Sequence, residues 1–167
     1  MKGFIIFPTY KLIDGKAYAC LYGRLENGES FLTINYARPY FYIKSSDLKE
    51  AQKLANFDHE TINFKDFAGN KVAKIILDIP SDVVNLRDSF HQSNIDTYEA
   101  DIKFPYRFMI DNFLQSSLDI EGSFESSDKI DRVYKEPEIK PANYIPKLKV
   151  LSLDIETSLD GKHLYCI

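Results

Sequence analysis

The residues of this sequence best suited to chemistry lie near its carboxyl end, in Lys149-Val150-Leu151-Ser152-Leu153-Asp154-Ile155-Glu156-Thr157. Side chains alternate between the two faces of a strand, so this segment would set Leu151, Leu153 and Ile155 in a core and project Ser152, Asp154 and Glu156 from the other side. The two carboxylates would then stand about 7 Å apart along the strand. Two like charges so placed repel, and a hard divalent ion with oxygen ligands, Mg²⁺ or Mn²⁺, removes the penalty. Hydrolysis of a phosphodiester by two ions uses such a pair, one metal activating water and the other stabilising the leaving oxygen. Asp-x-Glu on a strand is by itself a weak signal, and a solvated strand face explains it as well.

Other side chains suit nucleic acid better than catalysis. Tyr36, Tyr40, Phe41 and Tyr42 could offer stacking surfaces to unpaired bases, although strand alternation lets Tyr40 and Tyr42 share one face and puts Phe41 and Ile43 on the other. Arg38 and Lys44 beside them are candidates for phosphate contact or for a solvated basic rim. His59, His91 and His163 are isolated and read as surface or capping residues. Cys20 and Cys166 lack any CxxC or Cys/His spacing, so they read as buried thiols and not as a disulfide or a zinc site.

Charge limits what the chain can do as a whole. With 21 basic and 25 acidic residues the formal net charge is −4. That is the wrong sign for binding DNA through a general field, so any contact must be local. The acidic excess lies in residues 111 to 167, which hold 7 basic and 11 acidic groups. A hydrophobic share of 44% in 167 residues is ample for a packed core. No apolar run approaches the roughly 18 residues a membrane helix needs, and the start is too soon interrupted for a secretory signal, so the expected address is the cytoplasm, with no membrane partner.

The elements that must position these residues read as α+β. Gly3 to Phe7, Ala17 to Tyr22, Phe31 to Tyr36 and Tyr40 to Ile43 are strand-like and separated by turn signals, which predicts an antiparallel meander. Ser46 would cap a helix running to about Asn56. Ile62 to Phe67 and Val72 to Ile79 predict a hairpin turning at Ala68-Gly69-Asn70. Pro80 opens a second helix with Val83, Leu86, Phe90 and partly Val84 as its apolar stripe, while Asp82, Arg87, Asp88 and Gln92 face water. Asn94 ends that helix and Ile95 to Tyr98 returns as a strand, giving a split β-α-β element of the ferredoxin or RRM-like kind on a mainly antiparallel sheet. A short helix is expected over Pro105 to Phe113. Leu118 to Phe124 and Ile130 to Tyr134 suggest another hairpin. Residues 135–146 contain three prolines and read as an extended linker between a domain of residues 1–146 and a second beginning at 147.

Several of these segments also resemble one family. Leu153-Asp154-Ile155-Glu156-Thr157 resembles the first exonuclease motif of family B DNA polymerases, and its continuation through Ile167 is similar to the bacterial polymerase II branch. Tyr98 to Asp111 (Tyr-Glu-Ala-Asp-Ile-Lys-Phe-Pro-Tyr-Arg-Phe-Met-Ile-Asp) resembles the signature that closes the amino-terminal domain of these enzymes, as does Ala37 to Ile43 earlier. The resemblance implies a polymerase with a 3′→5′ proofreading exonuclease, Asp154 and Glu156 being catalytic residues and ligands of Mg²⁺ or Mn²⁺ on the first strand of an RNase H-like domain over residues 147–167. It implies template and primer DNA and dNTPs as partners, with a sliding clamp engaged through other parts of the enzyme. Only eleven residues follow Glu156, so the present chain is expected to be inert, a template-side piece with a structural and DNA-contacting role.

In archaeal members of that family the amino-terminal domain holds a pocket for deaminated template bases. Its matching positions here are Tyr10, Pro39, Tyr40, Pro80, Val83, Ile102, Phe104 and Arg107, with Arg38 and Tyr42 as further nucleic-acid candidates. Lys103 stands where those members carry proline, and its long side chain would alter or block such a slot. Core packing or general template contact therefore stays open beside base sensing. Two rivals also stay open: a free-standing RRM-like nucleic-acid-binding module, which would need a basic face, and a compact nuclease using Asp154 and Glu156.

Overall fold

The structure, a computed structural model, describes the backbone of residues 1–166 and the side chains of residues 1–165. The side chain of Cys166, read above as a buried thiol, and all of Ile167 lie outside the described residues. Two sheets carry the chain, and the α+β reading holds.

The larger sheet has seven strands, built around β1 (Lys2–Ile13), β2 (Lys16–Leu25) and β3 (Ser30–Tyr36), the antiparallel meander that the alternation predicts. Four more strands join it: β8 (Ser117–Glu121), β9 (Phe124–Glu125), β10 (Arg132–Lys135) and β11 (Glu138–Pro141), in the order β11-β8-β1-β2-β3-β10-β9. Strands β8 and β9 thus stand five strand-steps apart, about 24 Å in a flat sheet. Only Gly122 and Ser123 connect them, a reach of about 11 Å. The sheet must therefore curl until its edges approach. Its inner side holds Ile5, Leu21, Phe31, Leu118 and Tyr134, against which Phe104, Phe108 and Met109 pack from α3 (Phe104–Asp111). Gly23 is demanded by this curl, since a Cβ there would lie 2.0 Å from the Phe4 carbonyl oxygen and 2.5 Å from the Phe31 ring.

The fourth strand departs from the expected meander. Strand β4 (Tyr40–Lys44) leaves the first sheet and becomes a central strand of a second, with β5 (Asp58–Lys65), β6 (Lys71–Ile76) and β7 (Thr97–Tyr98) in the order β5-β6-β4-β7. Because β6 and β7 both run antiparallel to β4, they are parallel to each other, and α2 (Pro80–Gln92) crosses between them with β4 inserted. That is the split β-α-β element, here complete as β-α-β-β-α-β with α1 (Leu48–Leu54). Helix α2 buries Val83, Leu86 and Phe90 against Phe41, Ile43 and Ile75, each such side chain contributing about 1.5–3 kcal/mol, and leaves Val84 exposed. Asn94, at φ 58°, ends it in the left-handed conformation that asparagine tolerates.

Smaller differences have local causes. Ser46 does not cap α1; its hydroxyl donates to Asp47 at 2.8 Å within a 3₁₀ turn at Ser45–Asp47, and the helix stops at Leu54. Helix α3 ends at Asp111, before Phe113, which takes φ 56°. The segments expected to form one hairpin, 118–124 and 130–134, sit toward opposite edges of the curled sheet, and only the two-residue β9 pairs antiparallel with β10. Residues 135–146 are not without regular structure: β11 pairs with β8 as an edge strand, where the outward side of Pro141 needs no N–H.

The carboxyl-terminal segment departs furthest. Instead of a strand over 149–157, only β12 (Glu156–Thr157) forms, paired with β13 (Leu164–Cys166). Leu151, Leu153 and Ile155, expected in a core, are 80%, 69% and 59% exposed. A lone strand with an apolar face has nothing here to bury it against, and strand order needs that burial. Among the described residues no helix is long and apolar enough to cross a membrane.

Candidate nucleic-acid cleft

Of the sequence-derived sites, the one the structure assembles is not the acidic pair. Asp154 and Glu156 are both exposed, and the Asp154 carboxylate accepts the neighbouring Ile155 amide at 2.9 Å. No group of three or more His, Cys, Asp or Glu side chains able to hold a metal ion occurs among the described residues. Two carboxylates alone do not make a hard-ion site of six oxygens. The donor set present is incomplete for Mg²⁺ or Mn²⁺, and no step is assigned to a metal.

By contrast, Tyr10, Pro39, Tyr40, Pro80, Val83, Ile102, Phe104 and Arg107 all line one open cavity of about 470 Å³. Five elements or junctions supply them. Tyr10 comes from β1, and Pro39 and Tyr40 from the passage of the chain between the two sheets. Pro80 and Val83 come from the first turn of α2, Ile102 from the turn before α3, and Phe104 and Arg107 from α3 itself. The cavity therefore lies where the two sheets meet, with one helix beginning on each side.

Its chemistry is an apolar slot with a charged wall. The Tyr10 ring meets Phe104 edge-on at 5.8 Å. Tyr40 donates its phenol to Asp111 at 2.6 Å and lies edge-on to Tyr42 at 5.5 Å. Burial first, and the bond to Asp111 next, push the Tyr40 phenol far up, so it stays a neutral donor. Arg107, buried, donates to Glu99 at 2.6 Å. Burial pulls its guanidinium down, and Glu99 and Tyr40 outweigh that to hold it above its usual value, so it is always charged.

Two candidates fall outside the cavity. Arg38 is held between Asp58 at 2.7 Å and Asp78 at 2.9 Å, which occupies the guanidinium that was to meet phosphate. Tyr42 lies behind Tyr40, with Phe64 at 6.5 Å on its other side. Phe41 and Ile43 are fully buried, as alternation required. Phe7 and Arg87 join the lining without having been singled out. Arg87 was assigned to water from its place on α2; it pairs with Asp88 at 2.8 Å and still reaches the cavity. No local signal in the sequence marks it, because the opposite wall is built from the distant β1 strand. Cys20 is buried, as read, and burial raises its thiol.

In sequence the chain is similar over nearly its whole length to DNA polymerases, and in fold to a family B DNA polymerase. It is 26% identical over 170 residues to DNA polymerase II of Escherichia coli, covering 99% of this chain. It is 33% identical over 173 residues to a DNA polymerase of Archaeoglobus fulgidus, covering 93% of this chain. The chain spans 21% of the length of each of these relatives, matching their amino-terminal region. In fold it is similar to the family B DNA polymerase of the archaeon Pyrobaculum calidifontis, with a TM-score of 0.73 over 93% of this chain and 22% of that one, at 24% identity. No protein-family model matches the chain.

Proposed function

We propose that this chain is the template-side, amino-terminal portion of a DNA-directed DNA polymerase with a 3′→5′ proofreading exonuclease, and that its cleft receives unpaired template strand. The observation that carries this is the convergence of eight side chains, scattered from Tyr10 to Arg107, on one open slot of base-accepting character. An aromatic and apolar wall stacks any base, and cations on the same wall serve the backbone. In this reading residues 1–146 form the template-side domain and residues 147–167 open the exonuclease domain. Asp154 and Glu156 supply two of its metal ligands, and other parts of the enzyme supply the rest, together with the primer, dNTP and clamp contacts. The chain alone is non-catalytic, and the enzyme works in the cytoplasm.

The test is binding of labelled oligonucleotides followed by fluorescence anisotropy at low and moderate salt. Single strands should bind better than duplex, and affinity should fall as salt rises. Tyr40→Ala should weaken single-strand binding by about ten- to a hundredfold, the worth of one base stacked on an aromatic ring. Uracil and thymine strands should bind alike, because Lys103 lines the slot. Equal affinity for duplex, or a Tyr40→Ala chain that binds undiminished, defeats the proposal.

A further inference from the structure

The hairpin of β5 and β6, away from the cleft, ends in a tip whose residues run against their position. In its turn the Asp66 amide donates to the Asn70 carbonyl at 2.9 Å and the Gly69 amide to the Asp66 carbonyl at 3.0 Å. The Asp66 carboxylate accepts four more donors: the amides of Ala68 and Asn70, the Asn70 side chain and the Tyr98 phenol. Small and polar residues are the rule in such turns, yet this one carries Phe67, wholly exposed, and Phe64 on the strand before it is 61% exposed. An ordered turn thus holds an aromatic ring out in water, where the ring loses the stabilisation of burial and stands ready for a partner.

Charge at the base of the turn breaks a second local rule. Lys65 and Lys71 stand directly opposite each other in the antiparallel register, where like charges repel. Among the described residues the ion pairs of these two strands are Lys74 with Glu60 at 3.4 Å and Arg38 with Asp58 at 2.7 Å, so neither lysine is neutralised by one. Edge protection accounts for a lysine on the outer strand β5, but not for Lys71 on β6, which lies between β5 and β4. Rings also lead from the cleft toward this end of the sheet. Tyr40 lies 5.5 Å from Tyr42, and Tyr42 lies 6.5 Å from Phe64. Tyr40 is opposite Ile76, and Lys71 at the start of β6 is about 17 Å away along that strand.

We infer that the tip of the β5–β6 hairpin is a second contact for unpaired DNA, separate from the cleft: a base stacks on Phe67, and the backbone beside it brings phosphate to Lys65 and Lys71. A ring flanked by two cations suits a single strand, whose base faces are uncovered and whose backbone is anionic. It does not suit a dry protein contact, which would strip water from two unpaired ammonium groups. Phosphate beside the lysines also removes the repulsion that the register imposes on them. This rests on the template-strand reading and extends it: a strand held at the cleft and again at the hairpin gains affinity from the linkage of the two contacts.

The experiment titrates the 167-residue chain and its variants with a labelled single-stranded DNA 12-mer across a salt series, following anisotropy and the amide shifts of residues 64–71. Those amides should move on binding. Phe67→Ala should weaken binding by about fivefold to a hundredfold, the worth of one stacked base, and Phe67→Tyr should keep it while Phe67→Leu does not. Lys65→Gln with Lys71→Gln should reduce the slope of log affinity against log salt by about 1.4, at about 0.7 for each phosphate contact of a single strand. None of these variants should lower the melting temperature, because Phe67 is wholly exposed and the lysines repel each other. If the 12-mer depends on Tyr40 and is untouched by the tip variants, the template reading survives and this inference falls, the tip being left as a contact for protein. If binding depends on Phe67 and the two lysines and not on Tyr40, the hairpin contact stands and the template reading of the cleft falls. A Phe67→Leu chain that binds as well as the wild type overturns the inference, since it shows an apolar contact without stacking.

Discussion

The guanidinium carbon of Arg107 lies 4.9 Å from the centre of the Tyr40 ring, and the same guanidinium donates to Glu99 at 2.6 Å. One side chain thereby joins the α3 wall of the cleft to the first residue of β4, and so the curled sheet to the ferredoxin-like one. Removing it as Arg107→Ala should cost about 2–3 kcal/mol, from the lost cation–π contact and the loss of a buried charge pair, discounted because Glu99 is half exposed. Arg107→Lys should recover less than half, since an ammonium cannot lie flat on the ring and reach Glu99 with a fork of donors. Urea unfolding midpoints of the three chains check both statements.

Two glycines should respond to alanine very differently. Gly23 faces the Phe4 carbonyl and the Phe31 ring at distances no Cβ tolerates, so Gly23→Ala should cost about 3 kcal/mol or more or prevent folding. Gly28, at φ 90° with open space around it, should lose only about 1 kcal/mol through backbone strain. Thermal melts of the two variants would check the contrast, and a mild Gly23→Ala would mean that the sheet curls less tightly than described.

The turn joining β5 to β6 is organised by one carboxylate. Asp66 accepts the amides of Ala68 at 3.0 Å and Asn70 at 2.8 Å, the Asn70 side chain at 2.9 Å and the Tyr98 phenol at 3.1 Å. The Asn70 side chain and then the other donors hold its carboxyl below the usual range. A depressed folded value means that the stabilisation is complete above the unfolded value of about 3.9 and is lost as pH falls through the folded one. The stability gap between the wild-type chain and Asp66→Ala should therefore be constant from about pH 5 to 7 and close in more acid solution, as unfolding midpoints across pH would show.

How much of this was legible in the sequence depends on how local each cause is. Pro80, the 83/86/90 stripe and Asn94 fix α2 from within a single helix, and its start at Pro80 and the left-handed turn at Asn94 agree with that reading. Tyr40 and Tyr42 on one face and Phe41 and Ile43 on the other follow from a period of two. The destination of β4 does not, because nothing in Tyr40 to Lys44 says which sheet it joins. Nor does the edge strand β11, whose prolines suggested a linker and whose partner β8 lies some twenty residues earlier. The cleft was legible through resemblance alone: no spacing in the chain relates Tyr10 to Phe104. Arg38 shows the converse, a residue apt for phosphate by type and disqualified by Asp58 and Asp78, which only the fold brings to it.

The acidic pair yields the last prediction. Asp154 precedes the short strand that holds Glu156, both are exposed, and the apolar residues that should anchor the segment, Leu151, Leu153 and Ile155, are exposed as well. Gathering two such carboxylates round one ion requires ordering that segment first, and the ion must supply the free energy of doing so. Mn²⁺ should therefore bind this chain only at about millimolar concentration or weaker, comparable with the loosest oxygen sites for divalent ions. Asp154→Asn with Glu156→Gln should abolish what binding there is while leaving the melting temperature unchanged, since neither carboxylate holds the fold together. Water proton relaxation on titration with Mn²⁺ measures the first and differential scanning fluorimetry the second. A micromolar site lost in the double variant would mean that the pair is already organised for metal in this chain, and the strand at 149–157 would have to be ordered by a partner that the described residues do not show.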